Sequence, residues 1–252
     1  MSVFKDYSKY YNLLYKDKDY HTEVDYVQSL IERHSNTNCQ SILNLGCGTG
    51  NHDFIFADKG YQVTGVDLSQ DMIDVANSKK VNQAKVEFVQ ADIRDVQLHK
   101  QFDVVMSLFH VMSYQTSNAD LDKALQTANV HLQKGGLFIF DCWYGPGVLT
   151  DRPTIRNKQF ENNDYLVTRL STPTMYANDN CVDVDFKVNI LDKKTEQEYT
   201  LNEVHTMRYL FLPEIKYYLN TNGFDLVLDE EWLTSKELTY SSWNAVFVCK
   251  KR

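Results

Sequence analysis

The chain has 252 residues, 43% of them hydrophobic and 24% charged, which suits one sizeable globular domain with an elaboration or at most two modest ones. Its 16 Tyr and 13 Phe against 10 Gly and 4 Pro exclude a disordered, collagen-like or linker-rich chain. The 26 basic and 34 acidic residues leave a net charge of -8, which argues against a nucleic-acid partner because affinity for a phosphate backbone needs a positive surface.

The opening MSVFKDYSKYYNLLYKDKDY alternates Lys, Asp and Tyr and carries no apolar core of a secretion signal. Nowhere do 18 apolar residues follow one another, so no membrane span is expected. Cys39, Cys47, Cys142, Cys181 and Cys249 are scattered, odd in number and without a CxxC pair. They read as small buried hydrophobes in a reducing compartment, and the expected location is the cytoplasm.

After the tyrosine-rich start, Val24, Val27, Leu30 and Ile31 share one face of a helix that Thr22 can cap. Residues 39–46 (CQSILNLG) form a strand entering a glycine turn, and 61–68 (YQVTGVDL) a second strand. Ser69 is placed to cap the next helix, whose inner face is Met72, Ile73 and Ala76. VEFVQ at 86–90 and FDVVMS at 102–107 are the third and fourth strands. A helix over 119–132 aligns Leu121, Ala124, Leu125, Ala128 and Leu132; Gly135-Gly136 breaks it, and LFIFD at 137–141 is the fifth strand. Strands that are apolar at consecutive positions are covered on both faces, which means an α/β class with a mostly parallel sheet between helices.

The period changes after residue 145. Val182, Val184, Phe186, Val188 and Ile190 alternate with Asp183, Asp185, Lys187 and Asn189, the period of two that marks an antiparallel strand with one packed and one wet face. Residues 192–194 (DKK) turn the chain, 198–212 is the expected partner strand, and 165–172 supplies a third. Pro213 suits the first turn of a helix reaching Asn222, with Gly223 as its C-terminal cap. FDLVLD at 224–229 and NAVFVCK at 244–250 form a closing pair of strands.

NLGCGTG at 44–50 lies between a strand and a helix, where glycines permit positive φ and let a ligand approach the backbone. A tight turn without a ligand is the bland alternative, and two acids weigh against it. Asp67 lies 21 residues after Gly46 at the end of the second strand, where a carboxylate can accept both hydroxyls of a ribose; Asp92 ends the third strand. A ribose-bearing cofactor is therefore expected across residues 44–92. The dinucleotide fingerprint GxGxxG would want glycine at position 51, which is Asn51; the GxGxG form with a later acid suits a nucleoside without phosphates.

Taken together, ILNLGCGTG at 42–50, VTGVDLS at 63–69 with Met72 beyond it, the acidic turn Ala91-Asp92 and FDVVMSLFHVMSY at 102–114 closely resemble the class I S-adenosylmethionine-dependent methyltransferases. The resemblance implies a Rossmann-like, mostly parallel seven-stranded sheet with an antiparallel last strand, and S-adenosyl-L-methionine as cofactor. It implies the methionine end at Asn44, Gly46, Cys47, Gly48 and Gly50, the ribose at Asp67 and the adenine by Asp92. Leu68, Met72, Ile93 and Met106 complete the implied cofactor set. The family usually has an acid at the position of Asn44; an amide still hydrogen-bonds there but attracts the cofactor's ammonium group less. The opening YYNLLYKDKDY at 10–20, FDCWYGPGVL at 140–149 and the extra layer at 165–212 further resemble the sugar N-methyltransferases, which dimethylate the amine of a nucleotide-linked amino-deoxysugar. Related members act on sugar hydroxyls, glycine-like amines or other small metabolites.

Methyl transfer from a sulfonium is an in-line displacement that needs an unprotonated nucleophile held about 3 Å from the methyl. An amine acceptor is largely protonated at neutral pH, and an imidazole suits its deprotonation because it titrates near that pH. His110, just beyond the fourth strand, is the candidate, with a structural histidine as the alternative. The resemblance implies that Tyr11 and Tyr15 form a lid over the sulfonium, serving both cofactor binding and catalysis; for Tyr7 and Tyr20 lid and packing stay equally open. Trp143 and Tyr144 are the expected acceptor-pocket walls. Arg152, Arg156, Lys158, Arg169 and Arg208 are basic residues in an acidic chain, and two or three converging would suit a diphosphate, surface scatter being the alternative for each alone. The 7 His include no HxH or HExxH spacing, so no metal is expected, although three acids could still meet in space. No GxSxG elbow offers a serine nucleophile.

The expected organisation is a helical lid at 1–38, a cofactor-binding core at 39–144, an inserted antiparallel-sheet region over the active site at 145–212, and a helix with closing strands at 213–252. The expected function is methyl transfer to a small polar acceptor, foremost the amine of a nucleotide-linked amino-deoxysugar. O-methylation of a sugar hydroxyl or another small polar metabolite is the alternative, and a cofactor-binding protein without chemistry comes third. No nucleic-acid or membrane partner is expected, and the exposed face of the inserted sheet leaves a homodimer open.

Overall fold

Strands that must be covered on both faces assemble only where helices supply both covers. In the computed structural model, which describes residues 8–80 and 84–252, helices α1 (Ser8–Leu14) and α2 (Tyr20–His34) precede an alternation of strands and helices. It runs β1 (Ser41–Leu45), α3 (Asn51–Asp58), β2 (Gln62–Asp67), α4 (Gln70–Lys79), β3 (Val86–Gln90), β4 (Phe102–Ser107), α5 (Asn118–Val130) and β5 (Leu132–Trp143). A short helix α6 (Gly145–Thr150) leads into β6 (Arg156–Glu161), β7 (Tyr165–Tyr176), β8 (Cys181–Asp192) and β9 (Glu198–Arg208). The chain closes with α7 (Leu212–Thr221), β10 (Phe224–Glu231) and β11 (Asn244–Lys251). Tyr7 lies outside the described residues.

Among these residues seven strands form one sheet in the order β10-β11-β5-β4-β1-β2-β3. β11 runs against both its neighbours and the other pairings are parallel, the Rossmann-like arrangement expected. Successive side chains go to opposite faces. Ile42, Val63, Val104, Leu137 and Ile139 pack with Val24, Val27 and Phe56 of α2 and α3. Leu43, Val66, Val105, Phe138 and Phe140 pack with Leu121, Leu125 and Ile215 of α5 and α7.

The second sheet, β6-β7-β8-β9, is antiparallel throughout. Val182, Val188 and Ile190 are buried and Asp185, Lys187 and Asn189 are exposed, as the alternation in sequence implies; Val184 and Phe186 are half-buried. Leu13 and Leu14 of α1 pack on Val167, Val188 and Ile190, so the N-terminal helix rests on the inserted sheet.

Three local expectations are corrected. Asp19, not Thr22, caps α2: its Oδ1 accepts the Thr22 N–H at 3.0 Å and its Oδ2 the Thr22 hydroxyl at 2.6 Å. α5 stops at Val130, before the glycine pair. There the His131 ring spans Thr127 O at 2.8 Å and the Leu98 N–H at 3.0 Å, and Leu132, buried as expected, opens β5 and pairs with Phe102 of β4. β6 and α6 went unforeseen, β6 because its polar residues hide the alternation and α6 because Gly145-Pro146-Gly147 reads as a loop.

Leu14 is almost wholly buried against the inserted sheet. Leu14→Ala should cost about 2–4 kcal/mol of the packing that holds α1. Hydrogen–deuterium exchange should therefore rise in residues 8–18 well beyond any change in β1–β5; a uniform rise would mean that α1 is not a separately opening layer.

Candidate active site

The C-terminal ends of β1 to β5 open on a cavity of about 880 Å³, and α1 and the inserted sheet complete its wall. The floor is the glycine turn after β1. Gly48 has φ +55, and a Cβ there would meet nothing within 4 Å, so the turn leaves open space in front of its backbone. Asp67, at the end of β2, accepts the Gly48 N–H on Oδ2 at 2.8 Å and the Ser69 N–H on Oδ1 at 2.9 Å. Burial pushes its carboxyl up and these two donors pull against that. Asp92 is held differently: the Arg94 guanidinium, which also binds Asp120 at 3.0 Å, keeps its carboxyl below the usual carboxylate range.

Beneath the turn lies a carboxyl that the sequence did not single out. Asp53 in the first turn of α3 is fully buried and accepts the Asn44 amide N–H at 2.9 Å. Burial pushes Asp53 up to about 7, and burial brings Lys79, which donates to Asn51 Oδ1 at 2.7 Å, down to about 8. The carboxyl absent at Asn44 is thus supplied nine residues further along the chain, from the first turn of α3, and does not line the cavity.

The loop after β4 supplies the next group. Phe109 and His110 have φ of +64 and +63, a conformation that costs non-glycine residues energy and is kept where surrounding contacts impose it. The contact here is Asp141, 1% exposed at the end of β5, whose carboxylate accepts the His110 N–H at 3.1 Å. His110 Nδ1 lies 2.7 Å from Asp141 Oδ2, an ion-pair distance without the geometry of a hydrogen bond, and the residue lines the cavity. Tyr15 bridges the layers: its ring meets Tyr11 at 4.7 Å and Phe109 edge-on at 5.1 Å, and its hydroxyl accepts from Arg169 at 3.3 Å.

Of the residues expected at the site, Tyr11, Tyr15, Gly46, Cys47, Gly48, Asp67, Leu68, Met72, Asp92, Ile93, His110, Trp143 and Arg169 line this cavity, as do Tyr20, Arg156 and Lys158. Six do not. Asn44 is committed to Asp53, and Gly50, φ +75, packs on the Phe88 ring as it opens α3. Met106 is fully buried in the core behind β4, and Tyr144 packs in the opposite core layer. Arg152 is exposed outside the wall, and Arg208 pairs with Glu214 and donates to Asn118 at 2.8 Å. Asp141, Tyr114, His52, Arg94 and His205 were missed; the strand-end position that singled out Asp67 also marks Asp141, and His52 follows the glycine turn directly. No cluster of three metal-ligating side chains, and no helix long and apolar enough to cross a membrane, occurs among the described residues.

Residues 42–136 match the family model described as a methyltransferase domain. Over 148 residues the chain is 30% identical to dTDP-3-amino-3,4,6-trideoxy-alpha-D-glucopyranose N,N-dimethyltransferase of Streptomyces venezuelae, covering 58% of this chain and 61% of that one. Over 131 residues it is 32% identical to dTDP-3-amino-3,6-dideoxy-alpha-D-glucopyranose N,N-dimethyltransferase of Streptomyces fradiae, covering 52% and 50%. The chain thus spans between half and three fifths of the length of these curated relatives. Its fold is similar to that of a solved S-adenosylmethionine-dependent methyltransferase from Clostridium acetobutylicum, with a TM-score of 0.82, 22% identity and 98% of each chain covered.

Two outcomes are expected. Asp67→Ala should weaken binding of S-adenosylmethionine, or of its demethylated product, by roughly 10–100-fold, the worth of a charge-assisted pair of hydrogen bonds; calorimetry giving equal affinities would move the ribose elsewhere. The raised pKa of Asp53 means that the folded protein keeps a proton the unfolded chain releases near the ordinary carboxylate value. That contribution to stability is full below the unfolded value and is lost as pH rises through about 7. Asp53→Asn should therefore flatten the fall in unfolding free energy between roughly pH 4 and 7, read from urea titrations; an unchanged slope would mean that Asp53 is already ionised.

Proposed function

We propose that this chain, whose residues 42–136 match a methyltransferase-domain family, is a class I S-adenosylmethionine-dependent enzyme that moves the sulfonium methyl to the amine of a nucleotide-linked amino-deoxysugar. The observation that carries the substrate reading is the convergence of Arg156, Lys158 and Arg169 on the cavity of a chain with net charge -8. Lys158 on β6 stands opposite Arg169 on β7, and Arg156 opposite Ser171, so the three cations share one face. Arg169 is held among the rings of Tyr15, Phe160 and Phe186 at 5.0 to 5.6 Å. Such a face is complementary to a diphosphate, whose oxygens a guanidinium engages in pairs. The names of the two dTDP-amino-sugar relatives support the same reading.

The residues present fit the cofactor. Open space in front of Gly48, the Asp67 carboxylate beside it and the aromatic faces of Tyr11 and Tyr15 suit a nucleoside ending in a sulfonium. When bound, S-adenosylmethionine supplies a methyl group that is already activated. The chain then has to position the acceptor and manage its proton. With its ring 2.7 Å from the Asp141 carboxylate, His110 in its neutral form takes a proton from the acceptor ammonium or orients the amine. Tyr11 and Tyr15 close over the reacting axis and exclude water. Positioning supplies most of the acceleration. The His110–Asp141 pair would equally suit a hydroxyl nucleophile, so O-methylation is the second reading, separated from the first by nuclear magnetic resonance of the product.

His110→Ala should lower single-turnover rates far more than cofactor affinity: about 10²–10⁴-fold if His110 is a general base, about tenfold if it only orients. The loss should shrink as pH rises, because more of an amine acceptor is then already neutral. A ratio of wild-type to variant rates near one at every pH would remove His110 from the mechanism.

A further inference from the structure

In the cavity wall, two residues 91 positions apart meet through a hydrogen-bonded chain. Tyr114 ends the short 3-10 turn Val111–Tyr114 after β4, and its Oη lies 2.7 Å from His205 Nδ1 on β9. His205 Nε2 lies 3.0 Å from Glu203 Oε2. His205 is buried, Phe186 meets its ring edge-on at 4.8 Å, and both Tyr114 and His205 line the cavity.

With His205 neutral, the contacts among these three groups fit one arrangement of their protons. An ionised carboxylate only accepts, so the proton of a neutral His205 belongs on Nε2. Nδ1 then carries a lone pair, to which the Tyr114 hydroxyl must donate. A phenol has a single proton. Once that proton is committed to His205, the Tyr114 oxygen has only lone pairs to offer a ligand. Burial pushes the phenol well above its ordinary range, so it stays neutral. A doubly protonated His205 would reverse the polarity, turning Tyr114 from acceptor to donor.

We propose that Glu203 and His205 are positioning residues that hold Tyr114 as a hydrogen-bond acceptor, and that Tyr114 selects acceptor molecules carrying an N–H or O–H donor at the reacting position. This rests on the methyl-transfer reading of the cavity and deepens it. The site accepts an amine or hydroxyl and discriminates against the ketone of the same nucleotide-linked sugar, whose carbonyl oxygen would face a second acceptor.

The test has two arms on the full chain. Nitrogen-15 spectra of labelled histidines, assigned with H205N, should show the Nε2–H tautomer at His205 in the wild type and in E203Q, whose amide oxygen still accepts. The preference should be lost in E203L. Calorimetry in the presence of demethylated cofactor should show Y114F losing roughly tenfold in its preference for a nucleotide-linked amino-deoxysugar over the corresponding keto sugar. E203L should lose preference in the same direction, and E203Q should keep it. An Nδ1–H tautomer or a doubly protonated ring at His205 in the wild type, or an unchanged preference in Y114F, overturns the proposal. If neither sugar binds the wild type, the amino-sugar reading fails by itself. The tautomer pattern then decides the relay: the expected pattern upholds it and any other overturns it.

Discussion

Burying parallel strands on both faces leaves their C-terminal edge as the place where polar side chains can gather without interrupting a core. In this chain the acids at that edge are tied to a neighbouring loop. Asp67 at the end of β2 holds the turn after β1, and Asp141 at the end of β5 holds the loop after β4. Asp92 binds Arg94, which reaches Asp120 at the start of α5. The shape of the cavity floor therefore follows from hydrogen bonds between adjacent strand ends. Acids that would be costly alone in a buried setting are satisfied by backbone and guanidinium donors.

An edge of this kind is open to water until something covers it. The inserted sheet and α1 form the cover together, since Leu13 and Leu14 bury themselves on Val167, Val188 and Ile190. Tyr15 joins cover to core through Phe109 on one side and Arg169 on the other. Aromatic contacts of this sort are worth about 0.5–1.5 kcal/mol each, enough to place the ring without locking the layer shut. The same sheet brings Arg156, Lys158 and Arg169 to the cavity, so the element that closes it also supplies cations to its wall.

The Asn44–Asp53 pair shows how charge can be relocated within a fold. An acid on β1 would stand beside the glycine turn; here the strand carries an amide, and the acid comes from α3 below it. The fully buried carboxyl is driven towards its neutral form, so the turn is braced by a hydrogen bond whose strength depends on pH.

Much of this was legible in one dimension. Consecutive apolar residues in β1, β4 and β5 and the period of two in β8 are local consequences of which faces are buried, and they announce the two sheets directly. The glycine turn, Asp67 and His110 were found because chemistry gathers at strand ends, a rule that needs only element boundaries. Partnership is not periodic. Met106 is apolar on a strand covered on both sides, and nothing local says that it faces away from the cavity. Arg208 and Arg169 are both arginines on the inserted sheet, yet one is spent on Glu214 and the other reaches the cavity, a choice made by which elements the fold brings alongside. The sequence by itself determined the sheet, the turn and two of the acids at its edge, Asp67 and Asp92, because these depend on neighbours a few residues away. Only the tertiary structure decided that His110 meets Asp141 and Tyr114 meets His205, because hydrogen bonds between groups 31 and 91 residues apart depend on strand order and loop path, which no local pattern encodes.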